Sequence, residues 1–255
     1  MARLQNRTAL VTGASRGIGR GIAQRLARDG ALVAVHYAAD ASAAQETVRL
    51  IEQDGGRAFT VRSRLSGTSS VDEMVNKVKE GIEVRTSEVK LDIVVNNAAQ
   101  TGFGGAAPGD VTEEMLDRYY AVNAKVPFLV VQRVMDLMPR GGRIVNISSG
   151  MTHSAFPTQI GYAMSKGAME QITLHMAPCL AAKGITINTV APGVTDNGDP
   201  VFEDPAAFEE MARLSAFERV GEVSDIADVV AFVASDDSRW ITGSFIDATG
   251  GTLLR

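Results

Sequence analysis

Tyr162 and Lys166 are the residues of this sequence whose types and spacing first suggest chemistry. Side chains four residues apart lie on one face of a helix, with about 5–6 Å between their Cβ atoms. A free phenol has a pKa of about 10, and a nearby ammonium favours the phenolate and lowers that pKa. Such a phenol can donate a proton to a carbonyl oxygen or accept one from an alcohol. The alternative is a partly buried tyrosine beside a solvated lysine, so the assignment depends on the rest of the chain.

Two further polar residues have positions that suit the same chemistry. Ser149 follows residues 143–147, an apolar run that predicts a buried strand, and ligands gather at the carboxyl ends of parallel strands. A serine hydroxyl there can hold the reacting oxygen in line with the phenol, with Ser148 as a rival. Asn123 lies within a predicted helix, where asparagine is a poor helix former, which indicates a local kink or a bound water.

The glycine pattern Gly13-x-x-x-Gly17-x-Gly19 stands where a predicted strand, residues 8–12, passes into a predicted helix. Because glycine has no Cβ, the backbone can come close to a pyrophosphate there. The helix N-terminus adds free N–H groups and the positive end of its dipole. After the first strand of a βαβ unit, this pattern predicts a dinucleotide-binding loop.

The end of the second predicted strand indicates which dinucleotide is bound. An acidic residue there would bind the adenosine ribose 2′-hydroxyl, but the chain has His36, Tyr37 and Ala38. The nearest acid is Asp40. Arg16, inside the glycine loop, has a guanidinium suited to a phosphate. These residues predict a preference for NADP(H) over NAD(H), unless Arg16 merely points to solvent.

Strand and helix patterns alternate along the chain with short joints, which predicts parallel strands joined by helical crossovers. Ser42, with Gln45 three residues later, predicts the start of the second helix. A long helix is predicted over residues 113–138, kinked at Pro127, and another runs to about residue 183, bent or broken at Pro178. The fold class is α/β: a Rossmann-type, doubly wound parallel sheet of about seven strands. We expect a single domain over residues 1–255, with a substrate lid at about residues 195–217.

Composition excludes several classes of protein. Of the 255 residues, 45% are apolar and 22% are charged, which suits a globular domain with a substantial core. The net charge of −5 and the lack of a Lys/Arg block argue against a nucleic-acid partner. The apolar run at the N-terminus is too short for a signal peptide or a membrane span. Cys179 is the only cysteine, which excludes an intrachain disulfide and fits a cytoplasmic protein. His153 has no second ligand at metal-binding spacing, so no metal site is expected there.

Together these motifs resemble the short-chain dehydrogenase/reductase family over essentially the whole length. The residues that carry the resemblance are Thr12-Gly13-x-x-x-Gly17-x-Gly19, Asn96-Asn97-Ala98, Asn123, Ser149, Tyr162-x-x-x-Lys166 and Pro192-Gly193. It implies that Tyr162 is the general acid/base and that Ser149 positions the substrate carbonyl. It also implies that Lys166 binds the nicotinamide ribose and lowers the pKa of the tyrosine, and that Asn123 holds a water in a proton relay. The implied cofactor contacts are Gly13, Ser15, Arg16, Gly17, Ile18, Gly19, His36, Tyr37, Leu65, Asn97, Ala98, Ala99, Tyr162, Lys166, Pro192, Gly193, Val194 and Thr195.

Three positions depart from the family pattern. Ala99 stands where the usual Asn-Asn-Ala-Gly ends in glycine, and its methyl would shift the adenosine side slightly. Many members carry an aspartate near the adenine where this chain reads Ser63-Arg64-Leu65, so that contact is lost or comes from the backbone. After Pro192-Gly193, Thr195 and Asn197 compete for the place of a threonine near the carboxamide, and Thr195 is favoured.

The resemblance implies hydride transfer at the nicotinamide C4, with a small-molecule carbonyl or alcohol as substrate. The sequence is similar to bacterial 3-oxoacyl thioester reductases, which makes that substrate class the first expectation. A small polyol, a cyclic ketone or a secondary-metabolite carbonyl is the alternative. A dinucleotide-binding regulator without turnover is a different kind of alternative, although it has no need of the full Asn-Ser-Tyr-Lys set. No membrane or nucleic-acid partner is expected, and a homotetramer is predicted, with a dimer as the second choice.

Overall fold

The computed structural model describes residues 3–101 and 105–254, which form nine strands and eight α-helices. The strands are β1 Thr8–Val11, β2 Leu32–Tyr37, β3 Arg57–Arg62, β4 Ile93–Asn96, β5 Arg143–Ile147, β6 Thr186–Pro192, β7 Thr195–Asp196, β8 Gly221–Glu222 and β9 Phe245–Ala248. Seven of them form one sheet in the order β3-β2-β1-β4-β5-β6-β9. All pairs in this sheet are parallel. The predicted Rossmann-type sheet in one domain is therefore confirmed.

The helices cover both faces of the sheet. They are α1 Gly17–Arg28, α2 Ala41–Gln53, α3 Thr68–Glu83, α4 Glu113–Tyr120, α5 Val126–Val134, α6 Ile160–Ala182, α7 Pro205–Ala212 and α8 Val223–Val233. Helices α1, α2 and α8 bury apolar side chains against one face, and α3, α5 and α6 bury theirs against the other. Because both faces are covered, strands such as β1 and β4 are buried at every position rather than at alternate ones.

The helix predicted over residues 113–138 is interrupted, and Pro127 explains why. A π-helical segment, Ala121–Lys125, separates α4 from α5. Pro127 has no N–H for the carbonyl oxygen of Asn123, so the regular α-helical ladder is incomplete at this point. The backbone widens instead, and the N–H of Val126 donates to the carbonyl oxygen of Ala121, five residues earlier. The interruption is therefore a π-segment before the proline rather than a kink at it.

Two other expectations about helices are corrected. Helix α2 begins at Ala41, with Asp40 as its N-cap, because Asp40 Oδ1 accepts a hydrogen bond from the N–H of Ala43 at 2.9 Å. Ser42 is therefore inside the helix. Pro178 does not break α6, which continues through it to Ala182.

The region that follows β6 is the most irregular part of the described chain. Strands β7 and β8 pair as a separate two-stranded sheet, and a 3₁₀ turn, Pro200–Glu203, precedes α7. None of the helices within the described residues has the length and apolar character needed to cross a membrane.

Candidate active site

The glycines of the loop between β1 and α1 stand where a side chain would be strained or crowded. Gly13 and Gly17 have φ values of +64° and +55°, which glycine adopts without strain. A Cβ at Gly19 would lie 2.2 Å from the carbonyl oxygen of Gly13. The N-cap of α1 is Arg16, whose side chain has no acceptor for the N–H groups of the first turn. These groups are left for an anion, so the loop fits a dinucleotide pyrophosphate.

Residues from neighbouring strand ends hold the glycine loop in shape. Asn97 Nδ2 donates to the carbonyl oxygens of Thr12 and Gly13, at 2.9 and 3.1 Å. The N–H of Ala98 donates to Thr12 Oγ1 at 3.0 Å. The N–H of Gly13 donates to His36 Nδ1 at 3.1 Å. The residues predicted from the Asn-Asn-Ala motif thus meet the glycine loop from β4.

His36 is a buried part of this support. Its Nε2 donates to the carbonyl oxygen of Ser63 at 2.9 Å, and its side chain is 2% exposed. Burial lowers the pKa of His36 to about 4, although the hydrogen bond to the Ser63 backbone opposes the shift. At neutral pH the imidazole is therefore uncharged, and both of its nitrogens are engaged within the protein. The cofactor contact expected of His36 stays a prediction, and its imidazole has no nitrogen left for a 2′-phosphate.

The other residues expected to choose the dinucleotide differ in exposure. Arg16 is exposed beside the glycine loop and Tyr37 is half-buried at the end of β2. Asp40 caps α2 with its carboxylate, as described above. Leu65 is 8% exposed and packs in the apolar core on the α3 side, so only its backbone is available to an adenine.

Ser149, Tyr162 and Lys166 come together at the carboxyl end of β5. The Ser149 hydroxyl lies beside the Tyr162 phenol, where it favours the ionised form of the phenol. Lys166 Nζ lies 5.7 Å from the centroid of the Tyr162 ring and donates to the carbonyl oxygen of Ile147 at 2.7 Å. The rival serine, Ser148, instead donates to a carboxylate of α6 and does not bond to the phenol.

Burial dominates the ionisation of the Tyr162–Lys166 pair. It raises the pKa of Tyr162 to about 12, an effect that the Ser149 hydroxyl opposes and that Tyr119 reinforces. It lowers the pKa of Lys166 to about 7, and the charge of Glu170 opposes that shift. Because burial dominates, the phenol is protonated at neutral pH, as a proton donor must be. The lowering of its pKa by a charged Lys166 stays a prediction.

Asn123 lies in the π-helical segment and is fully buried. Its Oδ1 accepts from the N–H of Gln100 at 2.7 Å, and its Nδ2 donates to the carbonyl oxygen of Gln100 at 3.0 Å. Nδ2 also lies 3.0 Å from Ser165 Oγ. Because Ser165 precedes Lys166, Asn123 links the segment after β4 to the helix of the proton donor. The water relay stays a prediction.

The segment after β6 favours Asn197 over Thr195 as the residue beside the cofactor loop. Thr195 is 6% exposed, and its hydroxyl donates to the carbonyl oxygen of Gly193 at 3.1 Å. Asn197 lies against the glycine loop, since a Cβ built on Gly17 would be 3.2 Å from the Asn197 Cβ. Which of the two residues stands near the carboxamide, with Thr195 favoured, stays a prediction.

The remaining expected cofactor contacts surround the same cleft. Pro192 ends β6, and the carbonyl oxygen of Val194 accepts from the N–H of Gly221 at 2.9 Å. Ile18 packs on the core beneath the loop, while Ser15 and Ala99 are half-buried. Their contacts with a cofactor stay predictions.

Most of this chain, including the residues of the cleft, matches a known protein family. Residues 13–252 match a family model described as enoyl-(acyl carrier protein) reductase. The matched region starts at the first glycine of the loop and includes Ser149, Tyr162 and Lys166. The chain belongs to the short-chain dehydrogenase/reductase family. It is therefore an oxidoreductase, as the motifs predicted.

Known members of the short-chain dehydrogenase/reductase family are similar over nearly their full lengths. The promiscuous reductase LugOII, which catalyses keto-reduction at C1 during lugdunomycin biosynthesis, is 63% identical with a TM-score of 0.97, covering 99% of this chain and 100% of that one. The angucycline C-6 ketoreductase LanV, solved with bound NADP, is 55% identical with a TM-score of 0.95, covering 99% and 98%. A 3-oxoacyl-[acyl-carrier-protein] reductase of Staphylococcus epidermidis is 36% identical, covering 98% of this chain and 100% of the relative.

This short-chain dehydrogenase/reductase also has polar contacts that the sequence analysis missed. Asn96 Nδ2 donates to Asn146 Oδ1, and Asn146 Nδ2 donates to Thr173 Oγ1, both at 2.9 Å. Thr173 Oγ1 lies 2.7 Å from Thr189 Oγ1. This buried chain of hydrogen bonds joins β4, β5, α6 and β6 beneath the cleft. Asparagines inside otherwise apolar strands were the signal that could have revealed it.

Proposed function

We propose that this chain is an NADPH-dependent ketoreductase that converts a ketone of an angucycline-type natural product into an alcohol. The observation that carries the proposal is that the Ser149 hydroxyl lies beside the Tyr162 phenol, with Lys166 next to them at the carboxyl edge of the sheet. A serine and a phenol that meet at one point form a site for one oxygen atom, which suits a carbonyl group.

Each residue of the pair has a distinct task in the proposed reaction. When bound, NADPH supplies the hydride that the carbonyl carbon receives. The Ser149 hydroxyl fixes the direction of the carbonyl oxygen, and Tyr162 donates the proton which that oxygen acquires. Because the pKa of Tyr162 is about 12, the phenol is protonated before reaction. The ammonium form of Lys166 stabilises the phenolate that remains.

The substrate class comes from the relatives that share most of this sequence. LugOII and LanV, at 63% and 55% identity, both act as ketoreductases on natural products. The 3-oxoacyl relative is only 36% identical. These values favour the secondary-metabolite alternative of the sequence analysis over its first expectation, the acyl thioester.

The preference for NADPH over NADH rests on the charges around the adenosine end of the cleft. Asp40 is the nearest acid after β2, and its carboxylate is used as the cap of α2. Arg16 is exposed beside the glycine loop and could meet a 2′-phosphate with two N–H groups. LanV is a relative that binds NADP.

The substrate lid is proposed at residues 195–217. This stretch contains β7 and α7, and the rings of Phe202 and Phe208 meet edge to face with centroids 6.5 Å apart. Such aromatic side chains offer apolar surface to a ring system. The lid would then cover the substrate beside Tyr162.

A substrate panel tests the proposed function. The purified enzyme is given NADPH and an angucycline-type ketone, a bicyclic ketone or a 3-oxoacyl thioester, and NADPH oxidation is followed. We expect kcat/KM for the angucycline-type ketone to exceed that for the thioester by at least about tenfold. Ser149→Ala should lower kcat by about 100-fold or more, while Ser69→Ala, an exposed serine on α3, should not. A preference for the thioester, or no ketone turnover at all, would contradict the proposal.

The cofactor preference has its own test. Arg16→Ala should raise the KM for NADPH by about tenfold, because a charge-assisted hydrogen bond to phosphate is lost, and should leave the KM for NADH unchanged. Arg57→Ala is the matched control, since Arg57 is exposed at the opposite, amino end of β3. An equal rise in the KM for NADPH and the KM for NADH would show that Arg16 does not set the cofactor preference.

A further inference from the structure

Glu170 lies one helical turn beyond Lys166 on α6, on the side of the helix that carries Tyr162. Its Oε1 accepts a hydrogen bond from Ser148 Oγ at 2.6 Å. Ser148 directly precedes Ser149, the residue whose hydroxyl lies beside the phenol. The helix that presents the proton donor therefore also holds the residue next to the substrate-orienting serine.

The hydrogen bond to Glu170 fixes Ser148 at its side chain, and a second bond fixes its backbone. The N–H of Ser148 donates to the carbonyl oxygen of Val190 on β6 at 2.9 Å, and Ser148 is 3% exposed. Ser149 continues in extended conformation, with φ −160° and ψ 145°. In extended backbone, successive side chains point to opposite sides. Fixing the direction of Ser148 therefore fixes that of Ser149.

Glu170 also provides charge at a site where an ammonium is buried. Lys166 is 1% exposed, and the partner of its Nζ is the neutral carbonyl oxygen of Ile147. An uncompensated buried ammonium loses its proton readily. Burial does lower the pKa of Lys166, and the charge of Glu170 is what opposes this shift.

The other groups around Lys166 cannot replace Glu170. Tyr162, on the same helix, and Tyr119, on α4, are the titratable side chains on the phenol side. The π-helical segment contributes the neutral Asn123, and β5 contributes a backbone carbonyl. Among the described residues, Glu170 is thus the carboxylate that acts on the ammonium.

We propose that Glu170 is a positioning residue of the carbonyl reduction, which orients Ser149 through Ser148 and keeps a negative charge one turn from Lys166. The inference rests on the proposed function, because it assigns Glu170 a role in that reaction. Glu170 touches neither the substrate oxygen nor the cofactor in this account. It acts through Ser149, which is proposed to contact the substrate oxygen, and through Lys166, which is proposed to contact the cofactor.

Two variants separate the two parts of the role. Glu170→Gln keeps an oxygen that can accept from Ser148 but removes the charge. In it, Lys166 loses its proton at lower pH, so the alkaline limb of the kcat–pH profile for ketone reduction should move down by about 0.5–1 pH unit. Ser148→Ala keeps the charge and removes the link. It should lower kcat by about tenfold without moving that limb, because only the orientation of Ser149 is disturbed.

Glu80→Gln, an exposed carboxylate on α3, is the control for the change in net charge and should match the wild type. If Glu170→Gln leaves both kcat and the alkaline limb unchanged while the wild type reduces ketones, the inference is wrong and the proposed function stands. If the wild type reduces no ketone, the proposed function fails, and a double-mutant cycle of Glu170→Gln with Lys166→Met tests the inference through urea unfolding. An effect of the double substitution on the free energy of unfolding that differs from the sum of the two single effects would support the charge pairing. A double effect equal to that sum would overturn it.

Discussion

At the scale of single residues, burial rather than charge sets the protonation of the cleft. The phenol of Tyr162 is buried and stays protonated at neutral pH, and burial lowers the pKa of Lys166 to about 7. A donor with its proton in place and a neighbour that can stabilise the resulting anion are both needed for reduction. His36 follows the same rule, since burial keeps it neutral and able to accept the N–H of Gly13.

The buried imidazole predicts acid sensitivity of the fold. The pKa of His36 is about 4 in the folded chain, against its ordinary value of 6.5. Between these values the unfolded chain binds a proton that the folded chain does not. The stability present above pH 6.5 is therefore lost as the pH falls towards 4, by on the order of 3 kcal/mol.

Urea unfolding of the wild type and of His36→Asn, between pH 7 and pH 4, measures this loss. Asparagine does not titrate in this range, so the stability of the variant should fall less steeply, with all other ionisable groups unchanged. Parallel pH dependences for the two proteins would mean that His36 is not a buried neutral base.

At the scale of secondary structure, the π-helical segment Ala121–Lys125 is the element that places Asn123 in the interior. A regular helix over this stretch would leave the carbonyl oxygen of Asn123 without the N–H that Pro127 lacks. In the wider π-helical turn, the Asn123 side chain instead has a fixed position. It forms hydrogen bonds both to the segment after β4 and to α6.

Removal of the Asn123 side chain should therefore destabilise the protein. Asn123 is fully buried, and Asn123→Ala leaves the N–H and the carbonyl oxygen of Gln100 without their hydrogen-bond partner. This should lower the free energy of unfolding by about 2–3 kcal/mol. Asn76→Ala, at an exposed position on α3, should change the free energy of unfolding by less than about 0.5 kcal/mol. Equal stabilities of the two variants in urea titrations would show that the bonds of Asn123 contribute nothing.

The same segment shows how far the sequence could predict the structure. Apolar runs between turn residues predicted the seven-stranded sheet, and the glycine and Tyr-x-x-x-Lys spacings predicted the cleft, because both signals are local. The π-turn, the bond of Ser148 to Glu170 and the inward turn of His36 depend on contacts between elements distant in sequence. For the same reason the burial that shifts the pKa of Tyr162 could not be inferred from the charge of Lys166.

At the scale of the whole molecule, strand order places the site. In the order β3-β2-β1-β4-β5-β6-β9, the chain reverses direction across the sheet between β1 and β4. The glycine loop follows β1, Asn97 follows β4, and Ser149 follows β5. Parallel strands bring these carboxyl ends to one edge, where the crevice of a doubly wound sheet forms. Three segments far apart in sequence thereby share one cleft.

The outer surface of the molecule predicts self-association. Helix α6 exposes apolar side chains as well as burying them: Met164 is 46% exposed and Leu174 is 54% exposed, and Trp240, before β9, is 97% exposed. We expect such surface to be covered by other copies of the chain in a homotetramer. Light scattering after size exclusion should give four times the mass of one chain, and Leu174→Glu should reduce it to that of a dimer or monomer. A monomeric wild type would contradict this prediction.

The central claim is that Tyr162 donates the proton in a carbonyl reduction driven by NADPH. Its most direct test is single-turnover reduction of an angucycline-type ketone by Tyr162→Phe, with Tyr120→Phe as the control, since Tyr120 is 36% exposed at the end of α4. Loss of a general acid should slow the chemical step of Tyr162→Phe by about 10²–10⁴-fold, with NADPH affinity retained and the control like the wild type. A Tyr162→Phe enzyme that reduces the ketone at the wild-type rate would contradict the account.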